Sequence, residues 1–204
     1  MEKIYTRFLL EYFDASHIGI LAGPMIAEEI TDAREIKAIL GGSRDLHTQV
    51  APLFFGTTLE LEVTEDMQAL AIAGVLKNIY AIALGLNDAL LLGANMKGVL
   101  VTYAIREMQT VLRHFDFDQN MSLSFAGLGD LVTTGVSKFS SNHALGVQIA
   151  SGQEHTIKGE GCVALPIMLE MLQDTTSVPL MSALQDIIQN DVDPLDALHN
   201  IEYR

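Results

Sequence analysis

A single cysteine, Cys162, stands in a chain of 204 residues. No disulfide can form within the chain, and a reducing, cytoplasmic setting fits best. Basic residues are also scarce, with 12 Lys and Arg against 26 Asp and Glu, for a net charge of −14. That balance repels nucleic acid and anionic membrane surfaces at long range, and no basic patch opposes it. The histidines are scattered, with no HxH, HExxH or cysteine pair, so no metal-ligand spacing is present. GxSxG, P-loop and GxGxxG motifs are missing too. Gly127 and Gly129 make a GxG, but Val132 holds the third glycine's place and no strand precedes the pair. The opening segment MEKIYTRFLL lacks the apolar centre and small-residue cleavage site of a signal peptide.

Hydrophobic residues make up 49% of the chain, enough for one sizeable core or two small ones. The most apolar stretch, Ala69 to Leu92, reads ALAIAGVLKNIYAIALGLNDALLL. By length it resembles a transmembrane span, for which about 20 residues suffice. Lys77, Asn78, Asn87 and Asp88 interrupt it, Gly74, Gly85 and Gly93 punctuate it, and no Lys/Arg cluster flanks it. The reading is a buried central helix.

Lys77 in that helix is the main functional signal, because desolvating an unpaired ammonium costs several kcal/mol. On a helix it shares a face with Ala73, Gly74, Tyr80, Ala81 and Leu84, mostly small residues that leave room for a backbone or a bound molecule. Either its head snorkels to solvent, or it meets a carboxylate or ligand and handles a proton. The best distant partner is Asp130 in AGLGDLVTT, an acid among glycines and apolar residues. The alternative role for Asp130 is to cap the helix that follows.

Residues 1–63 read as α/β material. Strands are expected at Ile18–Ala22, Ile36–Leu40 and Leu59–Val63, the last alternating as an edge strand does, with helices after Pro24 and over Arg44–Phe55. Residues 64–204 read as all helix. Thr64 is the expected N-cap of the central helix, followed by helices near Ala94–Phe115, Leu123–Val132, Asn142–Ala150, Gly161–Leu172 and Leu180–Gln189. A last helix is capped by Asp193 with Pro194 at its first position, and Pro166 should kink or split its own helix. The expected fold is mainly α, preceded by a partial, Rossmann-like α/β remnant.

The segments LAGPMIAEEI, GVLKNIYAIALGLNDALLLGAN, AGLGDLVTT and SSNHALG, in this order, resemble the NAD(P)-dependent glycerol-3-phosphate dehydrogenases. The resemblance implies the all-helical carboxyl-terminal domain of the glycerol-3-phosphate/6-phosphogluconate dehydrogenase type, joined to the last strands of a dinucleotide domain. It implies NAD or NADP as cofactor, a phosphorylated triose as substrate, and a homodimer. Lys77 then falls on the catalytic proton donor and acceptor and Asp130 on its accompanying acid. Gly23, Asn78, Thr134, Ser140, Ser141 and Asn142 fall on substrate-binding positions, and Ala27, Ser141 and Glu160 on cofactor contacts. The implied reaction is hydride transfer between the nicotinamide and the central carbon of dihydroxyacetone phosphate.

This chain departs from the family at Ser141, where a phosphate-binding Arg is usual, and at Met25, where a small hydroxyl residue is usual. Ala94 and Tyr103 fall where Asp and Arg are usual. Serine cannot replace the guanidinium fork on a phosphate. Because the GxGxxG is missing as well, the chain by itself is expected not to turn over substrate. Two further readings stay open: a noncatalytic helical dimerisation or binding module, and a dehydrogenase of a less anionic hydroxy compound.

Overall fold

A computed structural model describes residues 11–32, 34–137, 139–152, 159–173 and 175–201. The segment MEKIYTRFLL, on which the signal-peptide reading rests, lies outside them. Three strands, β1 (Ile20–Ala22), β2 (Ile36–Gly41) and β3 (Leu59–Thr64), form one sheet in the order β1-β2-β3. β2 runs antiparallel to β1 and parallel to β3, with Leu21 opposite Leu40 and Ile36 opposite Leu59. β2 is buried along its length except at Lys37, as its nearly unbroken apolar run requires of a central strand. In β3 the alternation holds from Leu59 to Glu62 and then breaks, leaving Val63 54% exposed. Edge strands have neighbours on fewer sides, so their burial pattern is weaker. Short helices α1 (Ala27–Thr31) and α2 (Arg44–Val50) connect the strands.

The remaining elements are helices: α3 (Met67–Ala89), α4 (Gly93–His114), α5 (Asp130–Val136), α6 (Ser141–Ala150), α7 (Glu160–Leu172), α8 (Pro179–Gln189) and α9 (Pro194–His199). α3 starts later than its sequence pattern predicts. Asp66, not Thr64, is its N-cap, accepting from the Ala69 N–H at 2.9 Å, while Thr64 ends β3 and its Oγ1 accepts from the Asp66 N–H at 3.1 Å. An aspartate caps at least as well as a threonine, and its charge suits the positive end of the helix dipole.

By length and composition α3 would cross a membrane, yet 72% of its apolar window is buried inside the fold. A helix apolar all round needs cover on every side, and α4, α5, α6, α7 and β1 all pack on it. Leu70, Ile72, Leu76, Ile79, Tyr80, Ile82 and Leu86 are fully enclosed. Each such Leu or Ile contributes about 1.5–3 kcal/mol of transfer free energy.

Two helices of this half also differ from the pattern-based expectation. The helix expected over 123–132 is a 3₁₀ turn (Gln119–Leu123), a π turn (Phe125–Gly129) and then α5. The break follows from Gly127, packed so tightly on the carbonyls of Met121 and Ser122 that no side chain fits there. Pro166 does not split its helix: α7 runs unbroken through it. Leu165, Met168 and Leu169 beside the proline are buried in the core, and that packing offsets the hydrogen bond the proline cannot donate.

Candidate active site

Lys77 lies on the face of α3 that includes Ala71, Gly74 and Asn78, and these residues form one wall of an open cavity of about 720 Å³. Their spacing of three and four residues is that of one helical face. A Cβ at Gly74 would meet nothing within 4 Å, so the missing side chain leaves the space open. The other residues expected on this face, Ala73, Tyr80, Ala81 and Leu84, are buried in the core instead.

Across the cavity, α5 presents Asp130. Lys77 Nζ lies 3.1 Å from Asp130 Oδ2, and the two side chains retain 18% and 12% of their exposure, which excludes a lysine snorkelling into bulk water. Asp130 is the first residue of α5, and the cap position belongs to Gly129, so its carboxylate does not cap the helix. Thr134, one turn on, donates from Oγ1 to Asp130 Oδ1 at 3.1 Å and accepts from Lys77 Nζ at 3.1 Å. The three groups close a ring. Burial pushes the Asp130 carboxyl upward, against the opposing pull of the Lys77 charge and of the bonds from Lys77 and Thr134. The ammonium has three donors, two of them taken, so one N–H remains for an oxygen in the cavity.

A second network forms the adjoining wall. Asn142 Nδ2 donates to Asn78 Oδ1 at 3.0 Å, Asn78 Nδ2 donates to Glu160 Oε2 at 3.0 Å, and the Gly161 N–H donates to Asn142 Oδ1 at 2.9 Å. Asn78 and Asn142 are buried, and Gly159 and Gly161 approach them too closely for any side chain. Each amide keeps one N–H beyond these bonds. Gly23, Ala27, Ser140 and Ser141 also line the cavity, as does Met25.

All ten candidate residues read from the sequence therefore border one hollow. Sequence reasoning missed Glu28, Ser137 and Phe139 on the lining, for which no motif gives a signal. It also missed two polar clusters away from it. Glu107, fully buried, accepts from Tyr80 Oη at 3.0 Å and from the N–H groups of Leu180 and Met181 at 2.5 and 3.0 Å. Asp88 pairs with Lys97 and His143. An acid among apolar helix positions was the available signal for both.

The fold is that of the helical half of a nicotinamide-dependent dehydrogenase. Residues 66–199 match the family described as NAD-dependent glycerol-3-phosphate dehydrogenase C-terminus, and the chain belongs to that family. It is 30% identical over 188 residues to the glycerol-3-phosphate dehydrogenase [NAD(P)+] of Thermosynechococcus vestitus, spanning 88% of this chain and 61% of that protein. With the Deinococcus radiodurans enzyme of the same name it shares 36% identity over 138 residues, 67% of this chain and 42% of that one. The crystal structure of glycerol-3-phosphate dehydrogenase from Coxiella burnetii superposes with a TM-score of 0.80 at 26% identity, covering 89% of this chain and 58% of that one. The Plasmodium falciparum enzyme superposes with a TM-score of 0.86 over 99% of this chain and 62% of that one; at 23% identity the likeness concerns the fold alone.

Proposed function

We propose that this chain forms the substrate side of a glycerol-3-phosphate dehydrogenase-type reaction, with Lys77 as the proton donor and acceptor. The observation that carries it is the Lys77–Asp130–Thr134 ring, with Nζ at 3.1 Å from both partners, on the wall of an open cavity. NAD(P), when bound, supplies or accepts the hydride. The apolar wall of Ile20, Ala22 and Ala27 facing the cavity fits a flat nicotinamide ring, and Glu160 at the rim fits a contact with the rest of the dinucleotide. Lys77 directs its remaining N–H at the substrate oxygen, giving up a proton as a carbonyl becomes an alkoxide and taking one in the reverse direction. Asp130 and Thr134 hold the ammonium in that direction. The spare amide N–H groups of Asn78 and Asn142 and the hydroxyls of Ser140 and Ser141 orient the rest of the substrate.

Dihydroxyacetone phosphate and glycerol 3-phosphate are the substrates this reading assigns. A second reading, a less anionic hydroxy compound, is favoured by Ser141 and Met25 on the lining, since a phosphate dianion favours an Arg fork. The division at residues 63 and 64, a homodimer and a cytoplasmic location belong to the same proposal. Titration of the chain with glycerol 3-phosphate and with glycerol, each with and without NAD+, read by NMR, tests it. Signals of Lys77, Thr134 and Asn78 are expected to shift with glycerol 3-phosphate and to stop responding in Lys77→Met. Shifts centred elsewhere, or unchanged in Lys77→Met, overturn the site; a response to glycerol alone selects the second reading.

A further inference from the structure

The apolar run of α3 is interrupted twice, at Lys77–Asn78 and at Asn87–Asp88, and the proposed chemistry uses only the first pair. Asp88 is the centre of a separate ion cluster. Its carboxylate accepts from Lys97 Nζ of α4, with N to O distances of 2.6 and 2.8 Å, stands 2.9 Å from His143 Nε2 of α6, and accepts from Asn87 Nδ2 at 3.2 Å. Burial alone would lift this carboxyl, but the bonds from Lys97, His143 and Asn87 outweigh burial and hold it low, so it is ionised at neutral pH.

His143 immediately follows Asn142, the residue whose amide joins Asn78 to the Gly161 N–H. The first turn of α6 is thus tied to α3 at two places, Asn78 and Asp88, ten residues and roughly 15 Å apart along the helix. Between them the His143 carbonyl rests directly on Gly85, and Gly146 rests on the backbone of Ile82 and Leu86. With backbone against backbone, α6 has little freedom except to pivot about that contact, and the two side-chain ties fix the pivot. We propose that His143, held by Asp88, is a positioning residue for the Asn142–Asn78 amide pair, and that its protonation tunes this wall of the cavity.

The physical basis is the change in the His143 bond on titration. A protonated imidazole gives Asp88 a charge-assisted bond, whereas a neutral one gives a weaker bond, or turns a lone pair towards the carboxylate if the proton sits on Nδ1. The charged groups grouped with the ring are Asp88 of α3 and, through Asp88, Lys97 of α4. α5 and α7 bring Asp130 and Glu160 to the cavity side of α6. The inference concerns the shape of the cavity wall and stands whatever binds there; its bearing on catalysis rests on the dehydrogenase reading.

The test is an NMR pH titration of the full chain without substrate, following the His143 ring and the side-chain NH₂ groups of Asn78 and Asn142. In the wild type the two amides are expected to shift with the midpoint of the His143 ring. In His143→Arg, whose charge does not titrate, that component is lost and the amides stay near their low-pH positions. Asp88→Asn, which keeps the shape but not the charge, is expected to uncouple the amides from the ring. Lys77→Met is expected to leave the coupling unchanged, which separates a failure here from a failure of the catalytic reading. Amides that stay flat while His143 titrates, or that titrate identically in the wild type and His143→Arg, overturn the proposal.

Discussion

Lys77 and Asp130 are each costly to bury alone and tolerable together. Replacing Lys77 with Met leaves a buried carboxylate facing Thr134 without its cation, and stability should fall by about 1–3 kcal/mol. That is less than a fully enclosed pair would lose, because both groups border an open cavity. The double variant Lys77→Met/Asp130→Leu should recover most of the loss, since an ion pair replaced as a unit leaves no orphan. Urea midpoints of the single and double variants decide this, and a double variant weaker than Lys77→Met contradicts it. The pH dependence has a definite sign. Burial raises Asp130 above its ordinary value of 3.8, so the folded chain holds that proton more tightly than the unfolded chain does. Its contribution favours folding in acid and is lost as pH rises from 3.8 through the folded value, with no change above it. Relative to Asp130→Asn, the wild type should therefore lose stability over that window, as measured by urea unfolding across pH. Lys77 is legible in the sequence because a charge among apolar residues is conspicuous. Thr134 is legible from the residues only once Asp130 is trusted, as its neighbour one helical turn on. His143 is not legible, because its partner Asp88 is 55 residues away and nothing local marks the pairing.

At the scale of elements, glycines with opposite roles look alike in the sequence. Gly74 faces open space, while Gly85 and Gly146 sit where α3 and α6 touch backbone to backbone. Gly74→Ala should raise stability by about 0.5–1 kcal/mol by improving helix propensity. Gly85→Ala and Gly146→Ala should each cost about 1–3 kcal/mol or more, because the helices must move apart. Thermal unfolding of the three variants checks the opposite signs. Glu107 shows another long-range choice, since it ties α4 to the first N–H groups of α8. In Glu107→Leu those donors lose their acceptor, and amide exchange at Leu180 and Met181 should speed selectively, with a stability loss of about 2–4 kcal/mol. Uniform exchange throughout the chain contradicts that anchoring role. Element types follow from hydrophobic period, so the strands and most helices are legible. The Phe125–Gly129 π turn is not, because nothing local shows that Gly127 lies against the carbonyls of Met121 and Ser122.

For the whole molecule, a net charge of −14 sets a background of self-repulsion. Added sodium chloride should raise the urea midpoint at neutral pH until the Debye length falls to about 3 Å near 1 M. A midpoint that drops with salt shows instead that specific ion pairs, such as the one between Lys37 of β2 and Glu60 of β3 at 2.9 Å, outweigh the repulsion. The sequence alone determines what is local and periodic: a helical chain built on one apolar helix, a few strands before it, an amine out of place, and segments shared with a known family. Only the tertiary structure decides what those residues become, because pairing a buried charge depends on which distant element is packed against it. Packing closed the ring of Lys77, Asp130 and Thr134, took up the amides of Asn78 and Asn142, and turned His143 towards Asp88.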